Sequence, residues 1–177
     1  MSKLRRLVLC ERGYTLIELL QVTVILSVVL AGLTVLFVQA TNAELQMNKR
    51  FQAQQEARVA VDKMRREIHC AKAITPAGTS ASITVTIPSQ CPTSGGTEIN
   101  VVYDTQLVSS GRYQLRRAGV KIADYVSNGT VFTYTAPSTE SLGKLRVELP
   151  INIQPSGAGS IWELEADMVL RNTSRLP

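Results

Sequence analysis

One acidic side chain lies inside a strongly apolar stretch near the start of the chain. Glu18 falls near the beginning of residues 16–38, where most side chains are aliphatic. An ionised group at the centre of a bilayer costs about 2.5–3.5 kcal/mol or more, so a residue of this kind indicates a function. Glu18 is therefore the first candidate functional residue. The alternative is a side chain that merely extends to the lipid headgroups.

The cysteines and the single histidine are the other residues with distinctive chemistry. Cys70 and Cys91 are the only cysteines after residue 13, and in an oxidising compartment they predict a disulfide. It would close a loop of roughly 20 residues, worth about 3 kcal/mol. Two buried free thiols are the alternative. His69 adjoins Cys70, but a zinc site normally has four ligands, so we interpret His69 as an ordinary helix-surface residue.

No catalytic pattern accompanies these residues. The spacing of Cys70 and Cys91 differs from the Cys-x-x-Cys of redox catalysts, and His69 is distant in sequence from any candidate serine. A nucleophile elbow, a phosphate-binding glycine loop and a pair of catalytic acids are all missing from the sequence. We expect no enzymatic activity, no metal and no cofactor.

The net charge of +5 is concentrated at the N-terminus, where four basic residues and one acidic residue precede Gly13. Without residues 1–13 the net charge is +2. Nucleic-acid binding needs clustered cations, and we favour a solvated surface over such binding. The cations that would form a basic patch are Arg116, Arg117 and Lys121 on predicted strands, with Arg65, Arg66 and Lys72 on a predicted helix.

The apolar stretch predicts a membrane span. Residues 19–38 would extend about 30 Å as a helix, enough to cross the hydrocarbon core. Basic residues precede it, which favours a cytoplasmic N-terminus and an external head. A secretory signal peptide cut after Ala40 would have an unusually long apolar part with Glu18 inside it. A plain membrane anchor fits the length but does not account for Glu18.

A third interpretation accounts for Glu18. A basic leader, Gly13, the aromatic Tyr14, a short apolar step and Glu18 precede the span in that order. Residues 12–20 resemble the cleavage and assembly motif of type IV prepilins and type II secretion pseudopilins. The resemblance implies that a prepilin peptidase cuts after Gly13 and N-methylates Tyr14. Glycine suits such a bond because its backbone can lie extended in a protease groove.

The resemblance also implies a role for Glu18 in assembly. Its carboxylate would neutralise the N-terminal amine of a neighbouring subunit and so set the register of the packed helices. The implied partners are the prepilin peptidase, other pilins or pseudopilins in a hetero-oligomeric filament, and an inner-membrane assembly platform. The implied location is the bacterial inner membrane, with a single pass, and then the filament. Pilus, secretion and competence machines all remain open, as does a membrane-anchored binding or sensor domain that does not polymerise.

The remainder of the chain predicts an amphipathic helix followed by strands. The helix would continue over 41–73 and end near Ile74, before Pro76. Apolar residues at steps of four and three predict one buried stripe: Ala57, Val61, Met64, Ile68 and Ala71. Polar–apolar alternation and turn residues then predict an antiparallel meander with strands at 82–87, 98–104, 112–117, 120–126, 131–135, 144–153 and 162–171.

The expected fold is therefore α+β, with a long N-terminal helix packed on an antiparallel β-sheet head, as in type IV pilins. We divide the chain into a cleaved leader (1–13), a transmembrane and filament-core helix (14–40), an amphipathic spine (41–75) and a β-rich head (76–177). Residues 57–68, 113–117 and 170–172 resemble minor subunits of the PilW and J-type groups. Val35 stands where mature pilins often carry a helix-bending proline, which also favours a minor subunit.

Overall fold

The computed structural model describes residues 14–154 and 161–172 of the chain. The proposed leader, with Gly13 and Cys10, lies outside the described residues. The chain forms two compact units, one up to Leu45 and one from Gln46 onward. A single helix, α1 (Leu16–Cys70), contributes to both.

The first unit is the apolar half of α1. Every side chain from Tyr14 to Ala40 is exposed in it, including the aliphatic ones. The helix contains a stretch long and apolar enough to cross a membrane, judged by length and composition. Aliphatic residues occur on all its sides, so this half does not have the single buried stripe of a soluble helix.

The second unit contains the other half of α1, and the predicted stripe is confirmed there. Ala57, Val61, Met64 and Ile68 are buried, as is Ala71 just beyond the helix. The buried face is wider than the prediction because it also includes Ala53, Ala60 and Glu67. The three alanines of this face within α1, Ala53, Ala57 and Ala60, have small side chains, which suits a close approach of helix and sheet.

The predicted end of the helix near Ile74 is wrong. α1 ends at Cys70, and Ala73–Thr75 forms a strand, β1, that pairs with β3 (Ser82–Ile87). The Lys72 amide donates to the Thr86 carbonyl at 2.8 Å, and Ile74 is buried. These long-range hydrogen bonds and the burial of Ile74 outweigh the local preference for one more helical turn.

Beyond β1 and β3, the described part of the head contains seven more strands. They are β2 (Gly78–Ser80), β4 (Ile99–Ser109), β5 (Arg112–Arg117), β6 (Val120–Val126), β7 (Phe132–Thr135), β8 (Lys144–Ile151) and β9 (Trp162–Val169). All nine pair antiparallel in one curled sheet in the order β1-β3-β4-β5-β6-β8-β7-β2, with β9 on β8. The strands from β3 to β6 form the predicted meander, but the order departs from it after β6. There β8 pairs with both β7 and β9, and its Ile151 pairs with Val126 of β6.

All seven predicted strands are present, and three of them (β3, β5 and β6) have the predicted bounds. β4 runs five residues further than predicted, to Ser109. The two strands that the sequence did not indicate, β1 and β2, have only three residues each, too few to show an alternating pattern.

The core lies between the buried face of α1 and one face of the sheet. In β8, Leu145, Val147, Leu149 and Ile151 are buried, whereas the alternate residues are more exposed. This period-2 pattern places one face of the strand on the core and the other towards solvent. The predicted fold class, an α+β type IV pilin-like fold, is confirmed.

Candidate assembly site at the start of the helix

The candidate site is the beginning of α1. Tyr14 and Thr15 precede the first helical residue, Leu16, and Tyr14 is 82% exposed. Glu18 lies in the first turn and is also exposed. The structure therefore places Tyr14 and Glu18 within one turn of each other at the accessible start of the helix. Gly13, the other predicted site residue, is outside the described part of the chain.

Thr15 and Glu18 form a capping box. Both the amide and the hydroxyl of Thr15 donate to Oε2 of Glu18, at 3.0 and 2.9 Å, and the Glu18 amide donates to the Thr15 hydroxyl at 3.4 Å. Such reciprocal bonds satisfy amides at the start of a helix that have no intrahelical acceptor. Sequence analysis did not assign Thr15 a role, although Thr-x-x-Glu is the signature of this cap.

The cap leaves part of the Glu18 carboxylate available. Both bonds from Thr15 go to Oε2, and no donor among the described residues reaches Oε1. An ionised carboxylate has about four acceptor positions. Glu18 can therefore hold its own helix start and accept further hydrogen bonds from a cation or an amide outside the chain.

The hydroxyl groups further along this half of α1 are satisfied within the helix. Thr23 donates to the Leu20 carbonyl at 2.9 Å, and Ser27 donates to the Val24 carbonyl at 2.7 Å. Thr34 donates to Leu30 at 2.8 Å in the same way. The outer surface of this half is consequently almost entirely apolar.

Cys70 and Cys91 are joined by a disulfide, with Cα atoms 6.1 Å apart. Cys70 is the last residue of α1, and Cys91 precedes a short 3-10 turn, Pro92–Ser94. The bond connects the end of the helix to the loop between β3 and β4. It closes across 21 positions of sequence.

A buried charged network that sequence analysis missed connects the helix to the sheet. Glu67 is 2% exposed, and it accepts hydrogen bonds from the Tyr103 hydroxyl of β4 at 2.6 Å and from Nε of Arg117 of β5 at 3.0 Å. Burial, and then the hydrogen bond to Glu67, raises the pKa of Tyr103 above its usual value. Glu67 is adjacent in sequence to charged surface residues, so its polarity gave no sign of burial.

Five of the six cations in the predicted basic patch pair with carboxylates, whereas no ion pair of Arg66 is found among the described residues. Arg116 pairs with Asp104, Arg117 with Glu67, and Lys121 with Asp124 at 3.5 Å. On and beside the helix, Arg65 pairs with Asp62 and Lys72 with Glu98. Cations already paired within the chain attract phosphates less strongly, which weighs against nucleic-acid binding at these residues.

His69 has a structural contact. Its Nδ1 lies 2.9 Å from the carbonyl of Val169 in β9, so the ring connects the end of α1 to the edge of the sheet. Within the described ranges, 14–154 and 161–172, no group of three or more His, Cys, Asp or Glu side chains is arranged to hold a metal ion.

A comparison with protein families bears directly on the start of the chain. Residues 9–34 match the model described as the prokaryotic N-terminal methylation motif. The chain carries a type IV prepilin-like motif. The match includes Gly13, Tyr14 and Glu18 and supports membership of the pilin and pseudopilin family, although it covers only a small part of the chain. No curated protein and no solved structure matches the chain significantly.

The motif has consequences for the class of protein. It is typical of structural, non-enzymatic proteins, and together with the exposed apolar helix it fits anchoring in a membrane. It also implies, in general terms, processing by a prepilin peptidase and assembly with other pilins.

Proposed function

We propose that this chain is a minor pilin or pseudopilin subunit that is processed after Gly13 and assembles into, or primes, a type IV pilus-like or type II secretion filament. The observation that carries the proposal is the methylation motif at the start of the apolar half of α1, where every side chain is exposed. Such a surface needs lipid first and neighbouring helices afterwards.

The proposed mechanism is non-catalytic. A prepilin peptidase cuts between Gly13 and Tyr14 and methylates the new amine of Tyr14. In the filament this amine pairs with the Glu18 carboxylate of a neighbouring subunit. An unpaired charge in apolar surroundings is expensive, and an opposite charge offsets much of that cost. Because the two charges meet at only one axial offset, the pair selects the register of the helices.

The domain organisation follows from this mechanism. Residues 1–13 are a cytoplasmic leader, residues 14–40 cross the inner membrane and later pack in the filament core, and the head faces the outside. The amphipathic spine begins at about residue 41 and supports the head through the buried face of α1. We assign the subunit to the PilW or J-type minor groups because no proline interrupts α1 and because segments of the spine and head resemble those groups.

One observation favours a second candidate, a membrane-anchored binding or sensor domain that does not polymerise. The capping box gives Glu18 a role within its own chain, so this acid has a structural reason to be present even in a lone anchor. In the filament proposal the charge of Glu18 is needed for assembly. In the anchored domain only its hydrogen bonds are needed, to cap the helix.

N-terminal mass spectrometry of the membrane-extracted protein tests the proposal. An N-methylated Tyr14 is the expected first residue. A chain that begins at Met1 would support the anchored domain, and one that begins at Thr41 would indicate release by a signal peptidase. Either result would overturn the filament proposal.

The variant Glu18→Gln then separates charge from capping. Glutamine also serves at this position of a capping box, so the helix start is retained while the charge is lost. We expect processing and membrane insertion to continue and incorporation into sheared filaments to fall at least tenfold. Thr15→Ser, which keeps both cap and charge, is the matched control. Normal incorporation of Glu18→Gln would overturn the role of the Glu18 charge in register. Absence of the unmodified chain from sheared filaments would favour the anchored domain.

A further inference from the structure

Gln21 differs from every other polar side chain in the interior of the proposed span. Residues 19–38 contain three hydroxyl side chains, and each donates to a carbonyl of its own helix. Gln21 is exposed, and no hydrogen bond to its amide is found among the described residues. It also lies beyond the capping box, so it does not serve the helix start.

A side-chain amide within the apolar span is unfavourable in free energy if it makes no hydrogen bond. Transfer of an unpaired amide from water to a hydrocarbon-like medium costs several kcal/mol. Residues 19–38 are otherwise aliphatic apart from the satisfied hydroxyls, Ala31, Gly32 and Phe37. A leucine at position 21 would insert more favourably. Amide side chains in apolar spans commonly make hydrogen bonds across to another helix.

The position of Gln21 indicates which part of another helix it meets. It lies three residues after Glu18, which places both on one face and about 4.5 Å apart along the axis. If the Tyr14 amine of a neighbour is level with Glu18, the neighbour is displaced by four residues, about 6 Å. Gln21 is then level with residue 17 of the neighbour, about 1.5 Å in axial depth from the neighbour's own glutamate.

We propose that the side-chain amide of Gln21 donates a hydrogen bond to the motif glutamate of the neighbouring subunit, at the position of Glu18, and so acts as a second positioning residue for helix register. This inference rests on the proposed function. The acceptor capacity is sufficient, because Thr15 occupies only Oε2 of Glu18 in this structure. The remaining acceptor positions of such a carboxylate accommodate one amine and one amide.

Substitution with a matched control tests the proposal. Gln21→Leu is expected to leave membrane insertion and processing at Tyr14 intact and to lower incorporation into sheared filaments about threefold, the equivalent of one interhelical hydrogen bond in a membrane. Thr23→Val, which removes a hydroxyl already satisfied by Leu20, is expected to change incorporation less than 1.5-fold. Equal incorporation of Gln21→Leu and Thr23→Val into sheared filaments would overturn the proposal.

A second measurement tests which part of a neighbouring helix lies beside position 21. A photoreactive residue at position 21 of the otherwise unchanged chain is expected to capture a peptide from the first eight residues of a processed neighbour. Capture only of more distant helix segments would overturn the assignment of the acceptor. If the unmodified chain is processed and incorporated but these results fail, only this inference is lost. If the unmodified chain is never incorporated, the proposed function fails instead.

Discussion

From Tyr14 to Ala40 the chain exposes every side chain, whereas from Ala53 to Ile68 the same helix buries one stripe against the strands of the head. The polar groups differ in the same way. In the first half, hydroxyls bond to carbonyls of their own helix. In the second half, Glu67 bonds to side chains of two strands. The comparison teaches that the second half of α1 buries its apolar stripe within its own chain, whereas the first half leaves its aliphatic side chains exposed, which fits anchoring in a membrane.

The largest expected effect comes from breaking the buried network of the second half. Arg117→Met leaves the Glu67 carboxylate buried without its cation, and we expect the head to lose about 3–5 kcal/mol of its free energy of unfolding. Arg146→Met is the control, because Arg146 is half-exposed and pairs with three half-exposed carboxylates, those of Glu148, Glu165 and Asp167. An exposed pair contributes about 0–1 kcal/mol. Urea unfolding followed by Trp162 fluorescence measures both, and similar losses would contradict the assigned role of Glu67.

Methionine-to-alanine substitutions at a buried and at an exposed position of α1, both in the second unit, test how much the buried stripe stabilises the head. Met64 is 0% exposed and Met47 is 72% exposed. We expect Met64→Ala to reduce the free energy of unfolding by about 2–5 kcal/mol through lost burial and a residual cavity. Met47→Ala is expected to change it by less than about 0.5 kcal/mol. A larger loss of unfolding free energy in Met47→Ala than in Met64→Ala, measured in the full chain, would contradict the assignment of the buried face.

The disulfide of the head provides the next test. Replacing Cys70 and Cys91 with serine is expected to reduce the free energy of unfolding by about 3 kcal/mol, because the bond restricts the unfolded chain. In the native protein, both thiols should react with a labelling reagent only after reduction. A Cys10→Ser background removes the leader thiol from this measurement. Equal labelling with and without reductant would show that the bond does not form in the cell.

The smallest effect concerns acid stability. Burial alone raises the pKa of Asp124, but hydrogen bonds from Arg112 and from the Tyr125 amide outweigh it, so the pKa lies below its usual value. A lowered native pKa contributes stability above the unfolded value of about 3.9 that is lost as the pH falls below it. Asp124→Asn should therefore flatten the decline in unfolding free energy between pH 5 and pH 2.

Asp62→Asn serves as the control for that titration, because Asp62 is exposed and pairs only with Arg65 among the described residues. We expect it to retain nearly the slope of the unmodified chain. An unchanged slope in Asp124→Asn would show that other carboxylates dominate the acid response of the head.

Most of the fold follows from periodic patterns. The buried stripe of α1 and the strand β3 were predicted because each buries one face, and burial of one face imposes a period on the sequence. The end of the helix and the strands β1 and β2 were not predicted correctly. A three-residue strand shows no period, and its formation depends on partners such as β3 and β7, which are distant in sequence.

The candidate site was predicted from the order of a few residues. Glu18 was identified because an acid within an apolar span is costly, and Tyr14 was identified through the resemblance of residues 12–20 to the prepilin motif. The cap by Thr15 was missed even though it is local, because Glu18 had been interpreted only through its charge. Only the structure distinguishes Gln21 from Thr23, Ser27 and Thr34, because it shows that those three hydroxyls are satisfied within the helix.

The sequence alone determined the motif at residues 9–34, the apolar half of α1 and the face of the helix that the head covers. These features depend on residue type and on spacing along the chain, so they can be read without coordinates. Only the tertiary structure decided which charges are neutralised. Glu67 and Arg117 are fifty residues apart, and nothing in their local surroundings distinguishes them from the exposed charges beside them. Their partnership exists because the packing of helix on sheet removes Glu67 from water and leaves the Arg117 side chain only 23% exposed.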